Sequence, residues 1–258
     1  MTHNNKITTT KNTKKGGVHA MTNENFSKVK EIAIVFLEAE IQTRELPLGN
    51  GQVHTCIDHP FFDNRIVYFA EEDSANQFCD ILSSDAAMQK AVQRYRKFIE
   101  KAESIDTILL LITKPYRLQF LETIQKSVSP EEMGALLADI WVSSESPNAD
   151  AVPLRILIKW FKAADKNSLM NAEELACYNS LPDEFQVYRG IGSKSNKKGI
   201  SYTLSLEKAE WFANRFQKRG GYVLTGTAKK KDVLAYFNGR QEQEILIEPK
   251  NIADLHKM

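Results

Sequence analysis

At Leu181 the texture of the chain changes, and this change limits the fold more than any other feature. From Asn23 to Ser180 apolar residues recur at helical spacing. Phe26, Val29, Ala33, Phe36 and Leu37 form the first stripe, and SSDAAMQKAVQRYRKFIEK, PEEMGALLADIWV, PLRILIKWFKAA and AEELACYNS carry others. Beyond Leu181 short strand-like segments take over, at 185–190, 199–205, 222–228 and 242–248. Gly/Asn/Lys turns separate them, and one helix lies among them. The order predicts an α+β fold, a helical N-terminal region followed by a β-rich end.

The details of the front half follow from punctuation. The first helix ends before LPLGNG, read as a loop broken by Pro47 and Gly49. RIVYFA reads as a short strand, and helices are expected near 73–83, 85–101 and 104–127. Ser84 or Asp85 caps the second of these, and Pro130 sits at the first turn of the helix that follows. Residues 1–21 are polar and nearly free of large apolar groups, which predicts a disordered tail. The expected division is therefore a tail at 1–21, a mainly helical domain at 22–128, and a domain at 129–258 whose helices lean on the strands. No internal repeat is visible.

Charge and cysteine content narrow the setting. The net charge of +1 hides a split, because residues 181–258 hold 14 Lys+Arg against 9 Asp+Glu. A modestly basic third suits an anionic ligand, although solvated lysines are the commoner cause. The three cysteines, Cys56, Cys79 and Cys177, are odd in number and scattered, as in a reducing compartment. The longest apolar run, IDTILLLI, falls well short of the roughly 20 residues of a membrane span. The first residues hold no apolar secretory segment, so the cytoplasm is the expected location and no membrane partner is expected. HTCIDH gathers His54, Cys56, Asp58 and His59, yet structural zinc takes four ligands in paired short spacings. The run reads as a loop with incidental histidines, and no metal is expected.

Three segments of the C-terminal end carry chemistry. In FQVYRG, Phe185, Val187 and Arg189 share a strand face; taken alone, such an arginine is more often a rim charge than an anion clamp. In KGISYTLSLEKAEWFANRF, Ser201, Thr203 and Ser205 share a strand face. Ser205 can cap the next helix, and Ala209, Phe212, Ala213 and Phe216 form its packing stripe. In GRQEQEILIEP, strand alternation places Glu242 and Glu244 on one face, after an Asn238-Gly239 turn. A charged edge strand explains two neighbouring acids equally well when that segment is taken alone.

Together, YRG, GISYTLSLEKAEWFA and AYFNGRQEQEILI resemble the three motif regions of mono-ADP-ribosyltransferases of the Arg-Ser-Glu class, in particular small bacterial and phage-encoded members. The resemblance covers about residues 180–250. It implies a split β-sandwich catalytic domain at 129–258 and NAD+ as substrate. Two departures stand out: only eleven residues separate Arg189 from Ser201, and Tyr202 stands where the motif is usually small.

Roles are carried over residue by residue. The resemblance makes Glu244 the carboxylate that holds the nicotinamide ribose and stabilises an oxocarbenium ion, in parallel with glycosidases. By the same resemblance Glu242 would orient or deprotonate the acceptor, Arg189 would clamp phosphate or ribose oxygens, and the Gly190 backbone would receive the carboxamide. Ser201 orients Glu244 with Thr203 in support, and Phe212 counts among the NAD-binding residues. The resemblance implies a macromolecular acceptor. E-x-E resembles members that modify arginine, while related enzymes modify nucleic acid bases. For the latter, Lys194, Lys197, Lys198, Arg215, Lys218, Arg219 and Lys229–Lys231 offer a basic path, with Tyr202, Tyr222 and Tyr236 for stacking. NAD+ glycohydrolysis at the same site, or a non-catalytic module binding NAD or ADP-ribose, are the alternatives. The helical front half is open to three roles: recognising the acceptor, binding an inhibitor or antitoxin, or supporting the sandwich. An enzyme that drains NAD+ or modifies essential targets would be toxic, which fits a toxin or defence role.

Overall fold

The computed structural model describes residues 23–71, 74–144, 152–192, 198–215 and 220–258, and its fold is mixed α+β. Helix α1 (Asn23–Leu37) opens it and buries Val29, Ala33 and Leu37 on one stripe. Two antiparallel hairpins follow. The first pairs β1 (Gln42–Gly49) with β2 (Gln52–Asp58), and the second pairs β3 (Ile66–Glu71) with β4 (Ser74–Asp80).

These hairpins correct the sequence reading in three places. LPLGNG is the end of β1 and its turn, not a loop leaving a helix. Asn50 and Gly51 have φ of 45° and 79°, the two left-handed positions that a two-residue hairpin turn requires. HTCIDH runs along β2 into His59 and is no loop. The helix expected at 73–83 is instead β4, because β3 offers it a partner. Val67 lies opposite Cys79 and Tyr68 opposite Phe78, with the two rings 5.4 Å apart.

The helices come next. Ser84, not Asp85, caps α2 (Asp85–Lys101), accepting from the Ala87 amide at 3.2 Å. The stretch 104–127 is two helices, α3 (Ile105–Leu111) and α4 (Arg117–Ile124). A 3-10 turn at Lys114–Tyr116 divides them, since Pro115 cannot continue a ladder of amide donors. Helix α5 (Pro130–Ser143) starts on a reciprocal cap between Ser129 and Glu132, with Pro130 at its first position. Then come α6 (Leu154–Ala163), α7 (Lys166–Leu169) and α8 (Ala172–Ser180).

Among the described residues, the β-rich end is one antiparallel sheet of six strands. In chain order its elements are β5 (Glu184–Ile191), β6 (Ser201–Thr203), α9 (Leu206–Asn214), β7 (Tyr222–Lys229), β8 (Ala235–Phe237), β9 (Glu244–Leu246) and β10 (Ile252–Lys257). The spatial order is β10-β7-β5-β6-β9-β8. Sequence reading missed β8 and β10 and made β6 and β9 too long. The seam between β5 and β6 is a single residue pair, Tyr188 with Thr203, whereas β5 and β7 pair along their whole length. The sheet is thus nearly divided into two three-stranded halves.

One apolar cluster runs from Val29 in α1 through Trp141 in α5 to Ile252 in β10. A smaller one holds α9 to the other side of the β5–β7 pair, through Ala209, Ala213 and Val223 with Tyr188 and Leu206. That contact explains Gly190. A Cβ there would lie 2.1 Å from the Ala209 carbonyl oxygen and 2.6 Å from the Ala213 amide nitrogen. Gly190→Ala should therefore lever α9 off β5 and cost about 1–3 kcal/mol, the usual range for overpacking, read as a lowered urea midpoint.

His59 is a structural clasp. It is buried, its Nδ1 accepts from the Phe61 amide at 3.1 Å, and its Nε2 lies 3.1 Å from the Ala39 carbonyl. This geometry fits the neutral ring with the proton on Nε2. Burial is the largest cause holding its pKa below the ordinary value; the Ala39 and Leu37 carbonyls and Asp58 pull the other way. The unfolded chain takes up this proton near pH 6.5 and the folded chain resists it. Stability should therefore be full above about pH 6.5 and fall as pH drops below it. Melting temperatures between pH 7.5 and 5 should show a smaller acid loss in His59→Gln than in the unaltered chain.

Candidate functional site

Arg189, Ser201 and Glu244 come from three different strands and lie together. Thr203 is opposite Glu244 in the β6–β9 ladder, so Ser201, two residues away, is its diagonal neighbour on the same face. The Ser201 hydroxyl donates to Glu244 Oε1 at 2.5 Å. Arg189 reaches across the narrow seam and donates through Nη1 to the Ser201 backbone carbonyl. Its guanidinium lies 5.8 Å from the centre of the Tyr202 ring and close against Gly199, where a Cβ would come within 2.2 Å of Nη2. Burial draws the Arg189 pKa down, while the nearby Tyr202 and Glu244 support the cation.

Glu244 is 5% exposed. Its Oε1 also accepts from the Trp141 indole N–H at 3.2 Å, a bond spanning 103 residues of sequence. Trp141 is held for this by Phe161 of α6, whose ring meets it edge-on at 5.3 Å. Burial pushes the Glu244 carboxyl above the ordinary carboxylate range. Bonds from Ser201 and Trp141 and the charge of Arg240 oppose the rise, and Glu242 adds to it.

Glu242 reaches this region by a route that alternation did not predict. β9 begins only at Glu244, and Gln241 and Gln243 have φ of 56° and 47°, so 241–243 is a left-handed turn and not strand. The two carboxylates share Arg240, which lies 3.0 Å from Glu242 Oε2 and 3.8 Å from Glu244 Oε2. Three anchors fix the turn. Thr203 Oγ1 donates to the Glu242 carbonyl at 2.6 Å, Asn238 Oδ1 accepts from the Gln243 amide at 3.1 Å, and the Asn238 amide donates to Glu174 Oε1 at 2.8 Å. Glu174 also closes the cap of α8, so the helical layer sets the turn.

The remaining candidates divide. Ser205 caps α9 through the Lys208 amide, as its position suggested. Phe212 is half-buried on α9, with the Arg215 guanidinium 5.2 Å from its ring centre. Gly190 serves the close approach of α9. Tyr202 and Tyr236 are buried, at 2% and 4% exposure, and cannot stack on an outside base, which corrects that expectation. Phe216, Lys194, Lys197, Lys218 and Arg219 lie outside the described residues. Trp141, Arg240 and Glu174 were missed. A tryptophan on the buried stripe of α5, whose N–H needs an acceptor, was the available signal for the first.

A cleft of about 210 Å³ adjoins the turn, lined by Glu207, Lys208, Trp211, Phe212, Arg240 and Glu242. A larger groove of about 720 Å³ runs between the end of β2, α3 and the Pro115 turn, past Asp58, Tyr95 and Tyr116 to Ser144. In it the Tyr116 hydroxyl donates to Asp58 at 2.6 Å, and burial with that bond pushes its pKa up to about 12. Among the described residues no group of three or more His, Cys, Asp or Glu is placed to hold a metal ion, and no helix is long and apolar enough to cross a membrane.

The chain matches no family model, and no curated protein or solved structure is significantly similar to it.

Asn238→Ala removes the acceptor of the Gln243 amide and should cost about 1 kcal/mol in denaturant melts. Amide exchange should quicken at Gln243 and leave β5 and β7 unchanged.

Proposed function

We propose that the chain is an NAD-dependent mono-ADP-ribosyltransferase of the Arg-Ser-Glu class, carrying ADP-ribose from NAD+ to a macromolecular acceptor. The observation that carries this reading is the convergence of Arg189, Ser201 and Glu244, with Ser201 bonded to the buried carboxylate. The sheet, almost parted between β5 and β6, suits the split β-sandwich of that class. The class also accounts for a buried acid held by two neutral donors, since its reaction develops positive charge on a sugar.

In this mechanism the bond between nicotinamide and ribose breaks, and nicotinamide leaves with the bonding electron pair. Glu244, ionised, faces the ribosyl oxocarbenium ion and accepts from the 2′-hydroxyl; Ser201 and Trp141 fix its Oε1 so that no reorganisation is required. Arg189 meets the anionic part of the dinucleotide, where a planar fork suits paired oxygens. Glu242 faces the open cleft, takes the acceptor's proton, and lets the acceptor attack the ribose C1′. The 210 Å³ cleft is below the roughly 300–1,000 Å³ of pockets for drug-sized ligands, so it takes one end of the dinucleotide or the acceptor side chain. A protein acceptor is the preferred reading, because two of the three tyrosines suited to stacking bases are buried. The helical region engages the acceptor, or an inhibitor or antitoxin.

The test is a lysate incubated with NAD+ labelled in the ADP-ribose moiety. Label on protease-sensitive macromolecules supports the proposal, free ADP-ribose alone indicates a glycohydrolase, and intact NAD+ sinks both. Glu244→Gln should lower NAD+ consumption at least about 100-fold, or about 2.7 kcal/mol of barrier. Glu242→Gln should reduce transfer much more than hydrolysis, as judged from the ratio of labelled acceptor to free ADP-ribose. Since burial raises the Glu244 pKa and the ionised form works, activity should fail on the acid side at a pH above the ordinary 4.5 of a glutamate.

A further inference from the structure

We propose that Arg240 is a positioning residue that holds Glu242 beside Glu244 and ties both to the C-terminal end of α5. Its guanidinium meets three acceptors: Glu242 Oε2 at 3.0 Å, Glu244 Oε2 at 3.8 Å, and, through Nη1, the Ser144 carbonyl at 3.2 Å. Ser144 is 96 residues away in sequence, so the contact joins the acidic turn to a separate helix.

The backbone gives Glu242 no reason of its own to face Glu244. With Gln241 and Gln243 left-handed, it stands outside the β9 alternation, and the Thr203 bond holds its carbonyl and not its carboxylate. The contact made by Arg240 directs that carboxylate. Exposed ion pairs contribute little, but here the Glu244 side chain is buried while that of Arg240 is 37% exposed, closer to solvent. Among the described residues, the charged groups facing Glu244 are Arg189, Arg240 and Glu242. A lysine carries the charge without the flat fork that reaches two carboxylates and a carbonyl at once.

The inference rests on the transferase reading, in which Glu242 serves the acceptor; Arg240 acts through it and touches no reacting atom. The experiment compares the full chain with Arg240→Gln and Arg240→Lys, using the ratio of transfer to NAD+ hydrolysis and the titration of ¹³C-labelled glutamate carboxyls followed by NMR. Arg240→Gln should lower the ratio about tenfold and move the Glu244 midpoint to higher pH. Arg240→Lys should recover most of the midpoint but little of the ratio. An Arg240→Gln protein with the unaltered ratio overturns the proposal. If Arg240→Gln does not fold, Arg240→Lys decides: a lowered ratio supports the proposal, and an unaltered one overturns it. If the unaltered chain leaves NAD+ intact, the transferase reading fails and the titration decides alone. An upward shift of Glu244 in Arg240→Gln then supports the clamp, and an unmoved midpoint overturns it.

Discussion

Keeping a carboxylate in the interior is the constraint around which the C-terminal half is organised. Glu244 is 5% exposed, and a buried acid lacking donors would protonate or unfold its surroundings. Three elements supply those donors and counter-charges: β6 brings Ser201, α5 brings Trp141, and the turn before β9 brings Arg240. The packing of α5 and α6, the β6–β9 register and the left-handed turn therefore all serve one side chain.

The seam between β5 and β6 belongs to the same arrangement. A fully paired sheet would run ladder bonds through the place where Arg189 crosses to the Ser201 carbonyl. With a single bridging pair, the guanidinium lies against Gly199 and beside Tyr202. The glycines at 190 and 199 do opposite jobs on this strand pair. The first lets a helix approach the sheet, and the second, just before β6, leaves room for the Arg189 guanidinium.

The helical layer is part of the site as well as its neighbour. Glu174 closes the cap of α8 with one carboxylate oxygen and holds the Asn238 amide with the other. Lys166 of α7 donates to the carbonyls of Val233 and Leu234, just before β8. The acidic turn is therefore placed by contacts with helices that precede it by some 60 to 100 residues, and its shape follows theirs.

Read alone, the sequence determined the α+β order and most helix boundaries and their caps, and it singled out Arg189, Ser201, Glu242 and Glu244 as candidates. Those properties are local: a 3.6-residue stripe, a Ser before a helix, or an arginine ending a strand is decided within a few residues. It misread 73–83 because a short half-apolar stretch takes the form its neighbour permits, and β3 permitted a strand. It placed Glu242 and Glu244 together for the wrong reason, since alternation fails where Asn238 and Glu174 pin a left-handed turn. The resemblance named Ser201 as a partner of Glu244, but that Trp141 and Arg240 also meet it was decided by tertiary packing. A bond from Trp141 to Glu244 leaves no trace in the spacing of either residue, because it depends on how α5 lies across the strands.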